Sequence, residues 1–464
     1  MTTTPITDPQ NNTSETIIAQ CTPHGAGAIA LLRLCGPQAL SIATKMGRNI
    51  SLDQVPTHTI HYGTIINQAQ EVIDQVMFLV MHAPKTFTGQ TTVEITCHNN
   101  PWIIKQIIEL AMCYGARIAN PGEFTQRALH NNKIDLVQAE AINELIHANS
   151  FAGLQKSMAQ LKGSLSSWVT HLEKELVHAL ALTEASFEFL DDENITFDAP
   201  IKKIVTQAIG TIQEVTKSFD QQQLLRQGVR IALIGSVNAG KSSLFNALLN
   251  RNRAIVSNIA GTTRDTLEAS VTRNDNTWTI IDTAGLRQTD NSIEQEGIER
   301  SRQEAHQADI IVLVIDQSRI CTQQEQQIYQ EFLEKYAHKC IVVFNKIDLE
   351  CKADLSWIAN YGPIAVSTTT KENISLLESA IDKKIQSLVS HAQSPFLLNQ
   401  RHFNLLSNLE TSLTKIITMF DAQIDYALIA YELKEATAQL AQLTGKTISE
   451  DAMNAIFKEF CVGK

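Results

Sequence analysis

What the chain has little of is informative. Of its 464 residues, 38 are Lys or Arg against 49 Asp or Glu, for a net charge of −11. That argues against a broad basic surface for gripping nucleic acid, though not against a local patch or contact through a partner. The eight cysteines, at 21, 35, 97, 113, 321, 340, 351 and 461, include no C-x-x-C pair. Scattered in this way they read as reduced, mostly buried thiols of a cytoplasmic protein. The longest dense apolar run, Ile310 to Ile315, suits a buried strand and is far too short to span a bilayer. Met1 to Thr13 is polar, without the basic-then-apolar text of a secretory leader or the arginines of a mitochondrial transit peptide. No internal repeat or low-complexity tract occurs.

What is present describes a multidomain globular chain. Hydrophobic residues make up 44% and charged residues 19%. The length corresponds to about three domains. Up to about Ile118, short apolar runs alternate with turns. Ile17 to Ala19, Ala28 to Leu32, Val76 to Met81 and Thr92 to Thr96 predict strands, and Pro101 to Met112 a helix, giving an α+β domain over 1–130. From Lys133 to Leu225 glycine and proline thin out, and apolar residues recur every three or four. Val137, Ala141, Leu145 form one stripe and Leu165, Trp168, Val169, Leu172, Leu176 another, predicting long amphipathic helices. This stretch carries 7 basic against 13 acidic residues, so it is poorly suited to holding RNA alone. From Val229 to about Val366 strands and helices alternate as in a parallel sheet, and the text after Ser394-Pro395 is helical again. An α/β unit over 226–391, inserted in a discontinuous helical domain of 131–225 plus 392–464, follows.

The inserted unit carries the chemistry. Val229 to Ile234 reads as a strand, Gly235-Ser236-Val237-Asn238-Ala239-Gly240-Lys241-Ser242 as G-x-x-x-x-G-K-S, and Ser243 to Leu249 as a helix. Glycines let backbone N–H groups converge on phosphate oxygens, and the helix N-terminus adds positive potential. Lys241 is then expected on the β/γ-phosphates and Ser242 on Mg²⁺. Downstream, Gly261-Thr262-Thr263 offers Thr263 as a second Mg²⁺ ligand. The strand Trp278 to Ile281 ends in Asp282-Thr283-Ala284-Gly285, suited to the metal's water shell and the γ-phosphate. The strand Cys340 to Phe344 ends in Asn345-Lys346-Ile347-Asp348. A carboxylate there accepts from guanine N1–H and the 2-amino group, which adenine cannot offer, and Ser367-Thr368 backs the base. A P-loop GTPase is the expectation. The position after D-x-x-G holds Leu286, which cannot orient water, so Glu294 becomes the candidate catalytic carboxylate. Asn238, inside the loop, is a candidate ligand for a monovalent cation.

Together with Pro121-Gly122-Glu123-Phe124-Thr125-Gln126-Arg127-Ala128, Lys133-Ile134-Asp135-Leu136 and the final Phe460-Cys461-Val462-Gly463-Lys464, these motifs make the whole chain resemble the MnmE (TrmE) family of tRNA-modification GTPases, of the TrmE-Era-EngA-like group. The resemblance implies three domains: an N-terminal folate-binding domain that forms a homodimer, a discontinuous helical domain, and the inserted GTPase. It implies GTP, Mg²⁺, K⁺ and 5-formyl- or methylene-tetrahydrofolate as ligands. It also implies assembly with the FAD-binding protein MnmG, through which tRNA is mainly held. Together they would install a (carboxymethyl)aminomethyl-type group on C5 of the wobble uridine, U34. Residue by residue, the nucleotide set extends to Ser243, Ser257, Asn258, Ile259 and Ala260. The K⁺ ligands map to Asn238, Ser257, Ile259 and Thr262, the catalytic glutamate to Glu294, and the folate contacts to Arg33, Glu94, Lys133 and Lys464.

On residue type alone the blander readings stand beside these. Glu294 is a solvated carboxylate, Asn238 a loop asparagine, the folate residues surface charges, and Cys461 a structural thiol as readily as a nucleophile. Four departures from the family's pattern fall at or near the N-terminal domain. They are the turn Pro23 to Ala28, which lacks the usual arginine; Gln90 in place of an acid; Cys97-His98-Asn99-Asn100 in place of G-H-G-G; and Asn120 in place of arginine. A ribosome-assembly or signalling GTPase without one-carbon chemistry is the second reading, and a dimeric scaffold with a degenerate GTPase the third.

Overall fold

The structure is a computed structural model and describes residues 15–186, 197–251, 254–255, 267–273, 276–282, 302–390 and 394–464. The chain divides into two compact units: Met1–Asn143 with Leu161–Val177 and Lys434–Lys464, and Glu144–Gln160 with His178–Leu433.

The first unit is built on a six-stranded sheet. Its strands are β1 (Ile17–Gln20), β2 (Ile29–Cys35), β3 (Thr59–Ile66), β4 (Val72–Met81), β5 (Thr92–His98) and β6 (Arg117–Ile118), in the order β3-β4-β5-β2-β1-β6. All neighbours are antiparallel except β1 and β6. Alternation sends Leu32, Leu34, Val76, Phe78, Val80, Val93 and Ile95 to one face, where α1 (Ala39–Met46) and α2 (Pro101–Cys113) cover them. Asn100 caps α2 by accepting from Trp102 N at 2.9 Å, and Pro101 supplies a pre-set first turn. The predicted strands and the predicted helix are all present, each slightly longer. β3 and α1 have no counterpart in the sequence reading. The opposite face divides in two. Near β1 it carries a small core of Ile17, Ala19, Cys35, Ala119 and Phe124, the last from α3 (Glu123–His130). Near β3 and β4 it leaves Ile60, Tyr62 and Met77 more than half exposed.

The helical periodicities hold, though Leu145 and Trp168 of the two stripes are only half-buried. Val137 and Ala141 are buried on α4 (Leu136–Ile146), as are Leu165, Val169, Leu172 and Leu176 on α6 (Ser164–Ala185), which follows α5 (Phe151–Leu161). In the second unit α7 (Asp198–Thr216) is followed by α8 (Phe219–Gln227), which ends at Gly228. The second sheet then forms from β7 (Val229–Ile234), β8 (Ala254–Ile255), β9 (Leu267–Arg273), β10 (Asn276–Asp282), β11 (Ile310–Asp316), β12 (Cys340–Asn345) and β13 (Ile364–Val366). Its order is β13-β12-β11-β7-β10-β9-β8. From β13 to β10 every pairing is parallel, while β9 and β8 extend the edge antiparallel. The apolar run of β11 is buried along its whole length, as a central parallel strand demands. Helices α9 (Lys241–Arg251), α10 (Gln323–Tyr336) and α11 (Ile374–Val389) accompany this sheet. Two further helices, α12 (Gln400–Asp421) and α13 (Tyr426–Leu443), precede α14 (Glu450–Phe457). Bonds from Lys202 to Asp421 and from Gln213 to Glu410 show that α7 and α12 run antiparallel. Parallel pairing puts the ends of β7, β10, β11 and β12 on one edge, where ligands bind in open α/β sheets.

Candidate functional site

At that edge the chain leaves β7 and turns tightly. A Cβ at Gly235 would lie 2.2 Å from the Val314 carbonyl oxygen, so the turn fits only glycine. Asn238 takes a left-handed φ of +62° and Gly240 one of +93°, which winds the backbone round before α9 begins at Lys241. Lys241 is buried, and its Nζ donates to the carbonyls of Gly235 and Ser236, 2.8 Å each. The ammonium is thus held over the loop instead of trailing into solvent. Ser242 and Ser243 stand exposed in the first turn of α9, whose leading N–H groups have no intrahelical acceptor. Hydroxyls, N–H groups and a fixed ammonium form a cradle for a polyanion.

A second loop is tied to the first. Asn345, fully buried at the end of β12, donates its Nδ2 to the Ala239 carbonyl at 2.9 Å, and its buried Oδ1 has no hydrogen-bond partner among the described residues. A Cβ at Gly240 would sit 2.1 Å from that Nδ2, so the glycine is required by the asparagine as well as by its φ. Lys346, at φ +67°, pairs with Asp316 at 2.6 Å. Burial pushes the Asp316 carboxyl up, but its bonds to Lys346 and Ser318 outweigh that and hold it below the usual range. Asp348 is exposed, and Ser367 Oγ donates to its Oδ1 at 2.6 Å while accepting from Thr370 N at 3.0 Å. Thr368 follows, half-buried. Gly235, Asn238, Ala239, Gly240, Lys241, Ser242, Ser243, Asn345, Lys346, Asp348, Ser367 and Thr368 are therefore brought to one edge. Asp282 closes β10 there, in register with Leu233 of β7. Ser257 to Thr263, Thr283 to Gly285 and Glu294 lie outside the described residues. The sequence reading missed Asp316, whose only signal was its place at the end of an apolar strand.

In the first unit, Arg33 Nε donates to Glu94 Oε1 at 2.8 Å, across adjacent strands and on the face near β1. The guanidinium lies 5.3 Å from the centre of the Phe124 ring, and its Nη1 reaches the Gly463 carbonyl at 3.4 Å. The final residues are threaded into this corner. Gly122 N donates to Cys461 O, Phe124 N to Lys464 O, and Cys21 Sγ to Gly463 O. A Cβ on Gly463 would meet the Gln20 carbonyl at 2.5 Å. Arg33, Glu94 and the backbone of Lys464 thus come together. Lys133 packs beside Gly89 and forms no ion pair with Glu94. Glu94 Oε2 accepts no bond from the described residues.

Relatives of this length and layout exist. Residues 16–133 match the family model described as GTP-binding protein TrmE N-terminus, and residues 136–461 the model described as MnmE helical domain. The tRNA modification GTPase MnmE of Lactobacillus gasseri is 36% identical over 97% of this chain and 98% of that relative. That of Cytophaga hutchinsonii is 34% identical over 100% of both. The chain belongs to the MnmE family of tRNA modification GTPases. Among solved structures, an Era variant of Aquifex aeolicus bound to GDP and aluminium fluoride is 26% identical over 33% of this chain and 56% of that one, with a TM-score of 0.25. The G domain of the T. maritima FeoB transporter is 28% identical over 36% and 99%, also with a TM-score of 0.25.

Against the MnmE family's pattern, the departures acquire physical roles. Gln90, where an acid is usual, accepts from Arg127 Nη1 at 2.9 Å. Arg127 keeps a carboxylate partner, because Glu123 Oε1 lies 2.9 Å from its Nη2 with both side chains buried. Arg117 and the backbone N–H of Asn120 also bind Glu123. Asn99 donates to the Gly25 carbonyl at 2.7 Å, so two departures, in the turn and in C-H-N-N, meet each other. His98 Nδ1 pairs with buried Asp74 at 2.8 Å. The motif P-G-E-F-T-Q-R is thus a structural knot that seats the end of the chain.

Proposed function

We propose that this chain is a K⁺-stimulated GTPase acting with FAD-dependent MnmG on C5 of the tRNA wobble uridine, U34, with a one-carbon unit from tetrahydrofolate. The observation that carries the nucleotide half is Lys241, held by the Gly235 and Ser236 carbonyls in a loop that Asn345 ties to the Asp348 segment. In this reading Lys241 neutralises the phosphates, Ser242 and Thr263 hold Mg²⁺, and Asp348, oriented by Ser367, selects guanine. Asn238, Ser257, Ile259 and Thr262 hold K⁺, which would supply charge compensation between the phosphates. Glu294 fixes the attacking water, with Leu286 unable to do so. Arg33, Glu94, Lys133 and Lys464 serve the folate.

The half-exposed strip of Ile60, Tyr62 and Met77 supports dimerisation through the N-terminal domain, since a second copy would cover it. Three domains, at 1–130, 131–225 plus 392–464, and 226–391, are the organisation we infer. Among the described residues no helix is long and apolar enough to cross a membrane. Nucleosides from tRNA of a deletion strain test the reading: the modified wobble uridine should vanish, and an unchanged digest rejects it. Glu294→Ala should retain GTP binding and lose turnover in KCl, and near-normal hydrolysis removes Glu294 from its role.

A further inference from the structure

Beside the cradle lies a clamp on Ser236 whose gripping residues belong to none of the motifs. Arg319 follows β11, and its guanidinium donates through Nη2 to Ser236 Oγ at 2.7 Å. Glu325 fixes that guanidinium with both oxygens, at 2.5 and 3.1 Å. Glu325 is itself held at the start of α10, where it and Thr322 form a reciprocal capping box. A second contact comes one helical turn on. The Ser236 N–H donates to the Tyr329 hydroxyl at 2.9 Å, and the Tyr329 ring is buried and stacked on Trp357. Ser236 is thus gripped at its backbone N–H and at its side chain, while its carbonyl takes Lys241 Nζ at 2.8 Å.

We propose that Arg319, with Tyr329, is a positioning residue that sets Lys241 through Ser236, so that α10 governs how tightly the phosphates are held. The inference rests on the GTPase reading above. A bidentate guanidinium–carboxylate pair has one geometry, so it places the Ser236 hydroxyl more sharply than a lone lysine would. A displaced Ser236 carbonyl moves the ammonium it holds, and with it the charge facing the phosphates. Such a loss weakens binding in ground and transition states alike, so it raises KM more than it lowers kcat.

A double-mutant cycle in the full-length chain tests this. Arg319→Ala should raise the KM for GTP about tenfold, Ser236→Ala about threefold, and the pair no more than Arg319→Ala alone, because both remove one bond. Arg319→Lys should recover part of the loss, and Tyr329→Phe should raise KM about threefold. An unchanged KM for Arg319→Ala, or a double mutant equal to the product of the singles, overturns the proposal. Hydrogen exchange of residues 235–241 in nucleotide-free protein is the second arm: Arg319→Ala and Tyr329→Phe should speed it, and unchanged exchange also overturns the proposal. If wild-type protein fails to bind GTP, the GTPase reading falls, while the exchange arm still decides the clamp.

Discussion

The nucleotide cradle and the corner around Arg33 are built by opposite means. In the cradle, the residues from Gly235 to Ser243 are contiguous, and a few bonds from outside, between Asn345 and Ala239 and between Ser236 and both Arg319 and Tyr329, steady them. In the corner, Cys21, Arg33, Glu94, Gly122, Phe124 and Gly463 come from five separate stretches of chain. Local backbone geometry shapes the first, with β12 and α10 bracing it; long-range docking makes the second. The cradle therefore depends on a few residues that tolerate no change, and the corner on a buried ion-pair knot that tolerates Gln90 for an acid because Glu123 still answers Arg127.

Substitutions can break that contrast. The largest effect is expected for Lys241→Ala: loss of its charge-assisted bonds should weaken GTP binding by about a hundredfold or more, with little change in Tm. A large fall in Tm would mean that the cradle, too, depends on buried charge. Glu123→Gln should then destabilise the first unit by about 2–3 kcal/mol, less than full loss of a buried partner, and leave nucleotide affinity intact. Chemical denaturation followed against GTP titration separates the two. The same carboxyl makes the corner acid-labile. Burial pushes its pKa up, but Arg117, the Asn120 N–H and Arg127 outweigh that and hold it below its ordinary 4.5. A depressed carboxylate contributes stability above about pH 4.5 and loses it as pH falls through the lower folded value. In Glu123→Gln that part of the acid dependence should be absent. Gly463→Ala, with φ +94° and the Gln20 carbonyl in the way, should cost more than about 1 kcal/mol, limited only by how far the last residues can shift. It should also speed thiol labelling of Cys21, whose Sγ donates to Gly463; unchanged labelling would detach the final residues from that corner.

The same contrast explains what could be read in advance. β7, β11 and β12 were legible because buried parallel strands read as unbroken apolar runs, and the loop after β7 because phosphate-binding geometry demands glycine and lysine at fixed spacing. α1 and β3 were missed. In β3 the apolar Ile60 and Tyr62 lie exposed while the more buried positions beside them are His61 and Gly63, so no apolar core face reads out, and α1 is only two turns long. Arg33 and Glu94 could be singled out only through the family likeness, since cross-strand partners leave no local spacing. Arg319 and Tyr329 left no signal, because a clamp on a backbone N–H and a serine hydroxyl demands no motif. Gln90 and Asn99 looked like defects until their partners, Arg127 and Gly25, were in view.

The most direct measurement is calorimetric titration of the purified full-length chain with non-hydrolysable analogues of GTP and, separately, of ATP, in magnesium and potassium. Saturable binding of the guanine nucleotide is expected, with the adenine nucleotide at least about tenfold weaker and that preference lost in Asp348→Asn. Equal affinity for the two nucleotides, or no heat with the guanine nucleotide, would contradict guanine recognition at this site.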